Sequence, residues 1–99
     1  MIDLSAIEGF DWDEGNAYKN VDKHAVTQTE AEQVFTSEVL ISADVRHSDD
    51  EPRYQALGVA IVGRLLHVTF TLRDGGRKVR IISARPMNRK ERTGYEQGS

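Results

Sequence analysis

The sequence predicts a small α+β domain: a largely antiparallel sheet with two N-terminal helices and a C-terminal helix, in the order β-α-α-β-β-β-β-α. Three observations carry this. The stretch "RLLHVTFTLR" alternates, with Leu66, Val68, Phe70 and Leu72 pointing one way and Leu65, His67, Thr69 and Thr71 the other. "RDGGR" marks a hairpin, because Asp-Gly and Gly-Gly accept the positive φ that tight turns need. Capping signatures open helices on both sides of the strand-rich region. No repeat, low-complexity tract or linker divides the chain, so residues 1–99 read as one domain.

Each element has its own justification. "IEGFDW" mixes Ile7, Phe10 and Trp12 with acids and reads as a short first strand. Asp13 suits an N-cap, and Ala17, Val21 and His24 follow at helical spacing, giving a first helix from Glu14 to about His24. "TQTEAEQVF" holds two overlapping capping boxes, Thr27 with Glu30 and Thr29 with Glu32, ahead of Ala31, Val34 and Phe35. "EVLISAD" is β-branched enough for a strand, and "RHSDDEP" is a polar loop. "RYQALGVAIV" and "RLLHVTFTLR" are strands divided near Gly63, and "KVRIISA" is the last one. Simple alternation puts Lys78, Arg80 and Ile82 on one face of that strand and Val79, Ile81 and Ser83 on the other, with Pro86 ending it and Arg85 just beyond. Asn88 and Glu91 then cap a terminal helix.

Composition excludes several classes. The 38% hydrophobic and 29% charged content fits a globular chain. There is no cysteine, so neither disulfides nor thiolate metal sites are expected, and the reading is a cytoplasmic protein. "ALGVAIVGRLLHV" is broken by Arg64 and His67 and is too short to span a membrane. No His-x-x-x-His, tight carboxylate cluster on an ordered element, phosphate-cradling glycine loop or serine nucleophile motif appears, so no metal and no cofactor is expected.

Charge is more informative. The chain has a formal charge of −3, yet residues 1–52 hold three Lys/Arg against thirteen Asp/Glu, and residues 53–99 hold ten against three. "RKVRIISARPMNRKER" alone carries seven cations with Glu91 as its single acid. Such asymmetry points to a nucleic-acid or charged-protein partner. Attraction between the two halves accounts for it equally well on charge alone. Guanidinium groups match phosphate oxygens bidentately, which makes a phosphate backbone a plausible ligand for the cationic stretch.

Two separated motifs resemble the BrnT toxin family. "FDWDEGNAYKNVDKHAVTQTEAEQVF" is similar to that family's opening, an aromatic-x-Trp-Asp followed by Asn-x-x-Lys-His-Gly-Val and a short Glu/Ala-rich helix. "GRLLHVTFTLRDGGRKVRIISARPMNRKER" is similar to its second half, with Ile-Ser-Ala-Arg before an Arg-x-x-Glu-Arg helix. The likeness runs from about Phe10 to Tyr95, and Ala25 stands where the family commonly has Gly. It implies a RelE-type ribonuclease fold and the toxin of a type II toxin–antitoxin pair, cleaving RNA to inhibit translation and growth. The implied partners are RNA and a ribbon-helix-helix (BrnA-like) antitoxin, with operator DNA reached only through the antitoxin complex.

Given an RNA substrate, metal-independent cleavage needs cations around the crowded phosphate and groups that move protons. Arg85, with Arg53 or Arg64, is the expected phosphate clamp, and His24 or Lys23 the expected proton-transfer group. Lys23, Lys78, Arg80, Arg89, Lys90 and Arg92 are expected to add RNA affinity. Glu91 is either the partner of Asn88 in the cap or a base. A non-catalytic module that binds nucleic acid or antitoxin is the alternative.

Overall fold

The computed structural model describes residues 4–12, 25–44 and 51–98. Its elements are β1 (Gly9–Asp11), α1 (Gln28–Gln33), β2 (Leu40–Ala43), β3 (Tyr54–Val59), β4 (Leu65–Arg73), β5 (Lys78–Pro86) and α2 (Arg89–Gly98), with 3-10 turns at Leu4–Ala6 and Val34–Thr36. The five strands form one sheet in the order β1-β5-β4-β3-β2. Three pairings are antiparallel, and β1 runs parallel to β5. The helix expected from Glu14 to about His24 lies outside the described residues, as do Asp13, Lys23 and His24.

Local chemistry accounts for the elements. Thr27 caps α1 in a full capping box: its Oγ1 accepts from the Glu30 amide at 3.1 Å, and the Glu30 carboxylate accepts from the Thr27 amide at 3.2 Å. The β4–β5 turn places Asp74 and Gly75 at φ 54° and 65°, and the Gly76 amide donates to the Arg73 carbonyl at 3.2 Å. These are the mirror-image turn angles that suit the twist of a hairpin. At α2 the Glu91 amide donates to Asn88 Oδ1 at 2.8 Å and the Asn88 amide to Glu91 Oε1 at 3.0 Å, so the cap forms as expected.

The core lies between the sheet and the α1 side. Val68, Phe70, Val79 and Ile81 from the central strands meet Val26, Ala31 and Val34 there, and all are buried. A run of rings fastens the layers: Phe10 to Phe35 at 5.6 Å, Phe35 to Phe70 at 5.0 Å edge-on, and Phe70 to Tyr54 at 5.5 Å. At Gly58 the 3-10 turn that follows α1 packs directly on β3. A Cβ there would stand 2.7 Å from Ser37 Oγ and 2.8 Å from Val34 Cγ1. The short α1 is further pinned by Trp12 Nε1 donating to Glu32 at 2.8 Å and the Ile61 amide donating to Gln33 Oε1 at 2.9 Å.

Strand β5 departs from simple alternation. Its register with β4 passes from Phe70↔Ile81 to Thr69↔Ser83, so Ile82 is an extra residue, a β-bulge. The buried residues accordingly run Val79, Ile81, Ala84, and the expected sharing of faces by Ile82 and Ser83 is corrected. Arg85 sits inside the strand, and Pro86 is its last residue rather than a stop before it. Beyond the bulge, Ser83 and Arg85 join Lys78 and Arg80 on the face away from α1. Alternation without it would have turned Arg85 into the core.

Ala25 sits in the left-handed region at φ 55°. A Cβ in that conformation costs about 1–2 kcal/mol, which glycine avoids. Ala25→Gly is therefore expected to stabilise the fold by about 1 kcal/mol, raising Tm by about 4–8 °C in a thermal melt.

Candidate phosphodiester-binding face

The cross-strand register builds the site. On the face away from α1, Leu40, Leu57, His67 and Arg85 align in one row across β2, β3, β4 and β5. Ser42, Gln55, Thr69 and Ser83 form the next row. Beyond them Thr71 opposes Arg80, which pairs with Asp11 of β1. Arg53 precedes β3, and its carbonyl accepts from the Asp44 amide at 2.8 Å. Alternation back from Gln55 puts Arg53 on this same face.

Helix α2 crosses the first of these rows. Tyr95 is buried beneath it, with its hydroxyl donating to the Glu38 carbonyl, while Gly98 lies against Leu40. Glu91, one turn before Tyr95, faces the sheet at His67 and Arg85. The Arg85 guanidinium grips it end-on: Nη1 donates to Oε1 and Nη2 to Oε2, both at 2.8 Å. Nη1 also donates to the Pro86 carbonyl at 3.2 Å. This leaves the Nε–H and one Nη2 hydrogen without a partner among the described residues. Those two donors form the side edge of the guanidinium, one of the forks that suits a phosphate. Glu91 thus caps α2 and orients Arg85 at once.

His67 is the residue that sequence reasoning passed over. It is only 6% exposed, with Nε2 3.7 Å from Glu91 Oε2, beyond hydrogen-bond reach. Its Nδ1 is buried with no hydrogen-bond partner among the described residues. Burial pushes the imidazole below its ordinary pKa, and the Arg85 cation pushes it the same way, against the pull of Glu91 and Asp44. His67 is therefore neutral at neutral pH. The available signal was its place in the alternation, on the polar side with Thr69 and Thr71.

The other groups are tuned by the same contacts. Burial pushes the Glu91 carboxyl up, but the hydrogen bonds from Arg85 and Asn88 outweigh it and hold it below the ordinary range. The bond to Glu91 in turn raises Arg85 further above the ordinary guanidinium value. The depressed His67 value has a consequence for stability. The unfolded chain takes up this proton first, so the contribution of His67 to stability is kept above its ordinary value of about 6.5 and is lost as pH falls below it. His67→Gln is expected to show a smaller loss of Tm between pH 7 and pH 5.5 than wild type, measured in parallel melts. Equal losses would exclude His67 as the source.

The expected site residues separate into groups. Arg53, Lys78, Arg80 and Arg85 share one face, although Arg80 also pairs with Asp11 at 3.4 Å. Arg89, Lys90 and Arg92 are exposed on α2. Arg64 is on the other side of the sheet, where Nη1 donates to the Ala25 carbonyl at 2.8 Å and pairs with Glu30 Oε2 at 3.0 Å. The structure does not bring it together with Arg85. It fixes instead the backbone one residue after His24. An apolar hollow of about 220 Å³ beside Leu4, Ile7, Phe10 and Phe35 lies on the core side of β1, away from these cations. Among the described residues no group of three or more His, Asp or Glu could hold a metal ion, and no helix is long and apolar enough to cross a membrane.

The guanidinium groups of Arg80 and Arg85, with Arg53 at the start of β3, lie on one polar face of the sheet, a chemistry that suits phosphodiester groups. Residues 12–91 match the family described as the ribonuclease toxin BrnT of type II toxin–antitoxin systems. The chain belongs to that family and is a ribonuclease toxin, with RNA as substrate and an antitoxin as partner. Its fold is similar to the crystal structure of the Brucella abortus ribonuclease toxin BrnT, with a TM-score of 0.59 and 20% identity over 82% of this chain and 97% of that one. No curated protein sequence matches the chain.

Proposed function

We propose that this toxin is a metal-independent endoribonuclease that cuts RNA across the Arg53–Arg80–Arg85 face and thereby inhibits translation and growth. The observation that carries the reading is Arg85, anchored end-on by Glu91 with its side edge left for a phosphate. RNA supplies its own nucleophile. Attack of the 2′-oxygen on the adjacent phosphorus, with departure of the 5′-oxygen, leaves a 2′,3′-cyclic phosphate and a 5′-hydroxyl. Negative charge gathers on the phosphoryl oxygens during this step, where fixed cations stabilise it most. Arg85 holds the scissile phosphate, and Arg53 and Arg80 draw in the flanking backbone. Lys78, Arg89, Lys90 and Arg92 add affinity without sequence choice.

His24 or Lys23 is the proton-transfer group, taking the proton from the 2′-hydroxyl and returning it to the departing 5′-oxygen, which leaves as the hydroxyl. This assignment rests on the sequence likeness alone. Arg64 acts one residue away, as a positioning group on the Ala25 carbonyl. The antitoxin is a ribbon-helix-helix protein that covers the cationic face, and the complex, not the toxin, contacts operator DNA. Charge asymmetry and family likeness support this pairing. The decisive experiment incubates purified protein with a long RNA in EDTA. Cleavage to cyclic-phosphate ends is expected; loss of all cleavage in EDTA, restored by a divalent cation, would reject metal independence.

A further inference from the structure

We infer that the row Ser42–Gln55–Thr69–Ser83 reads bases of the bound RNA, so that cleavage is selective for sequence. The inference rests on the proposed use of this face for RNA. The four side chains come from four adjacent strands at one level of the register. At the ordinary strand spacing the row spans roughly 14 Å, longer than a single base. On one side of it stand His67 and Arg85, and on the other Arg80 and Arg53. A strand whose phosphates touch both sets of arginines lays its nucleotides over the row.

The row is equipped for hydrogen bonding and for little else. Ser42 is exposed and the other three are half-buried, and none of the four side chains makes a hydrogen bond to another described residue. Hydroxyls donate and accept, and the Gln55 amide offers a donor beside an acceptor, the pattern that pairs bidentately with an adenine edge. Binders that tolerate any base rely on stacking against aromatic rings. Here the described rings are committed elsewhere. Phe10, Phe35, Tyr54 and Phe70 pack in the core, Trp12 bonds Glu32, and Tyr95 is buried under α2. A floor of hydroxyls and one amide distinguishes bases where a stacking platform would not. Phosphate contacts from the arginines fix the register and leave the choice of base to this row.

The test is cleavage of a randomised RNA pool by purified toxin, with ends sequenced, for wild type, Gln55→Ala, Gln55→Glu, Thr69→Val and Arg85→Lys. Wild type is expected to favour particular bases near the cut. Gln55→Ala should reduce that preference about three- to tenfold at one nucleotide, and Gln55→Glu, which only accepts, should change which base is favoured. Relative preference among sites is a readout that lost stability does not move. A wild type without preference, or Gln55 and Thr69 variants with the wild-type preference, would overturn the inference. Either result leaves the assignment of the face intact if Arg85→Lys still slows cleavage. Cleavage unaffected by Arg85→Lys would instead overturn the proposed site, and this inference with it.

Discussion

Arg85→Ala is expected to lower RNA cleavage by about 10²–10³-fold, the usual cost of removing one preorganised donor from a site of developing negative charge. The guanidinium is oriented by two 2.8 Å bonds to Glu91 before substrate arrives, so little reorganisation is needed on binding. Truncation also strips Glu91 of its cation. Because Arg85 is about one-third exposed, solvent replaces part of that interaction, and a stability loss of about 1–2 kcal/mol is expected. The kinetic and structural effects are separated by Arg85→Lys. An ammonium keeps the charge but not the planar fork that grips Glu91 on one edge and, in the proposed mechanism, takes phosphate on the other. It should recover most of the stability and only part of the rate. Assays at 25 °C, with folding followed by circular dichroism, decide the matter. An Arg85→Ala protein that is folded and cleaves at the wild-type rate would remove Arg85 from the mechanism.

Phe70→Ala should be the most damaging core substitution, costing about 3–5 kcal/mol. Phe70 is fully buried at the centre of β4, with Phe35 edge-on at 5.0 Å and Tyr54 stacked at 5.5 Å. Its removal empties the junction between the sheet and the short segment that follows α1. The other anchors of this six-residue helix are mainly polar: its cap, the Trp12–Glu32 and Ile61–Gln33 hydrogen bonds and the Arg64–Glu30 pair, with the close approach at Gly58. At about 4–8 °C per kcal/mol for a domain of this size, Tm should fall by about 15–30 °C. A thermal or urea melt measures this directly, and Phe70→Leu should recover much of the loss because it refills most of the volume. A drop of under 1 kcal/mol for Phe70→Ala would mean that the ring cluster does not organise the core.

Local signals in the chain specified most of the elements. Thr27 with Glu30 and Asn88 with Glu91 both form their caps, since a capping box needs only residues three apart. The Asp74–Gly75 turn forms where positive φ was tolerated, and the β4 alternation set Leu66, Val68 and Phe70 on one face, which is the core, and His67 on the opposite one. The charge split between the two halves, and the two motifs shared with the BrnT family, were also legible without coordinates.

Three features that build the site were not legible, because each depends on groups distant in sequence. The parallel pairing of β1 with β5 joins residues about seventy positions apart, and brings Asp11 to Arg80. Arg64 and Arg85 both read in the sequence as arginines at the ends of strands, yet only packing shows that Arg64 is committed to Ala25 and Glu30 on the core side. The third is the bulge at Ile82. No local rule places an extra residue there; it is set by the pairing with β4 and by the burial of Ala84. One inserted residue reverses every later side chain in a strand, and it is this reversal that turns Arg85 from the core to the face of His67 and Glu91. The sequence by itself determined where the charges, caps and turns lie, because these are local properties. Which of them meet was decided only by tertiary structure, because register between strands is a property of the whole sheet.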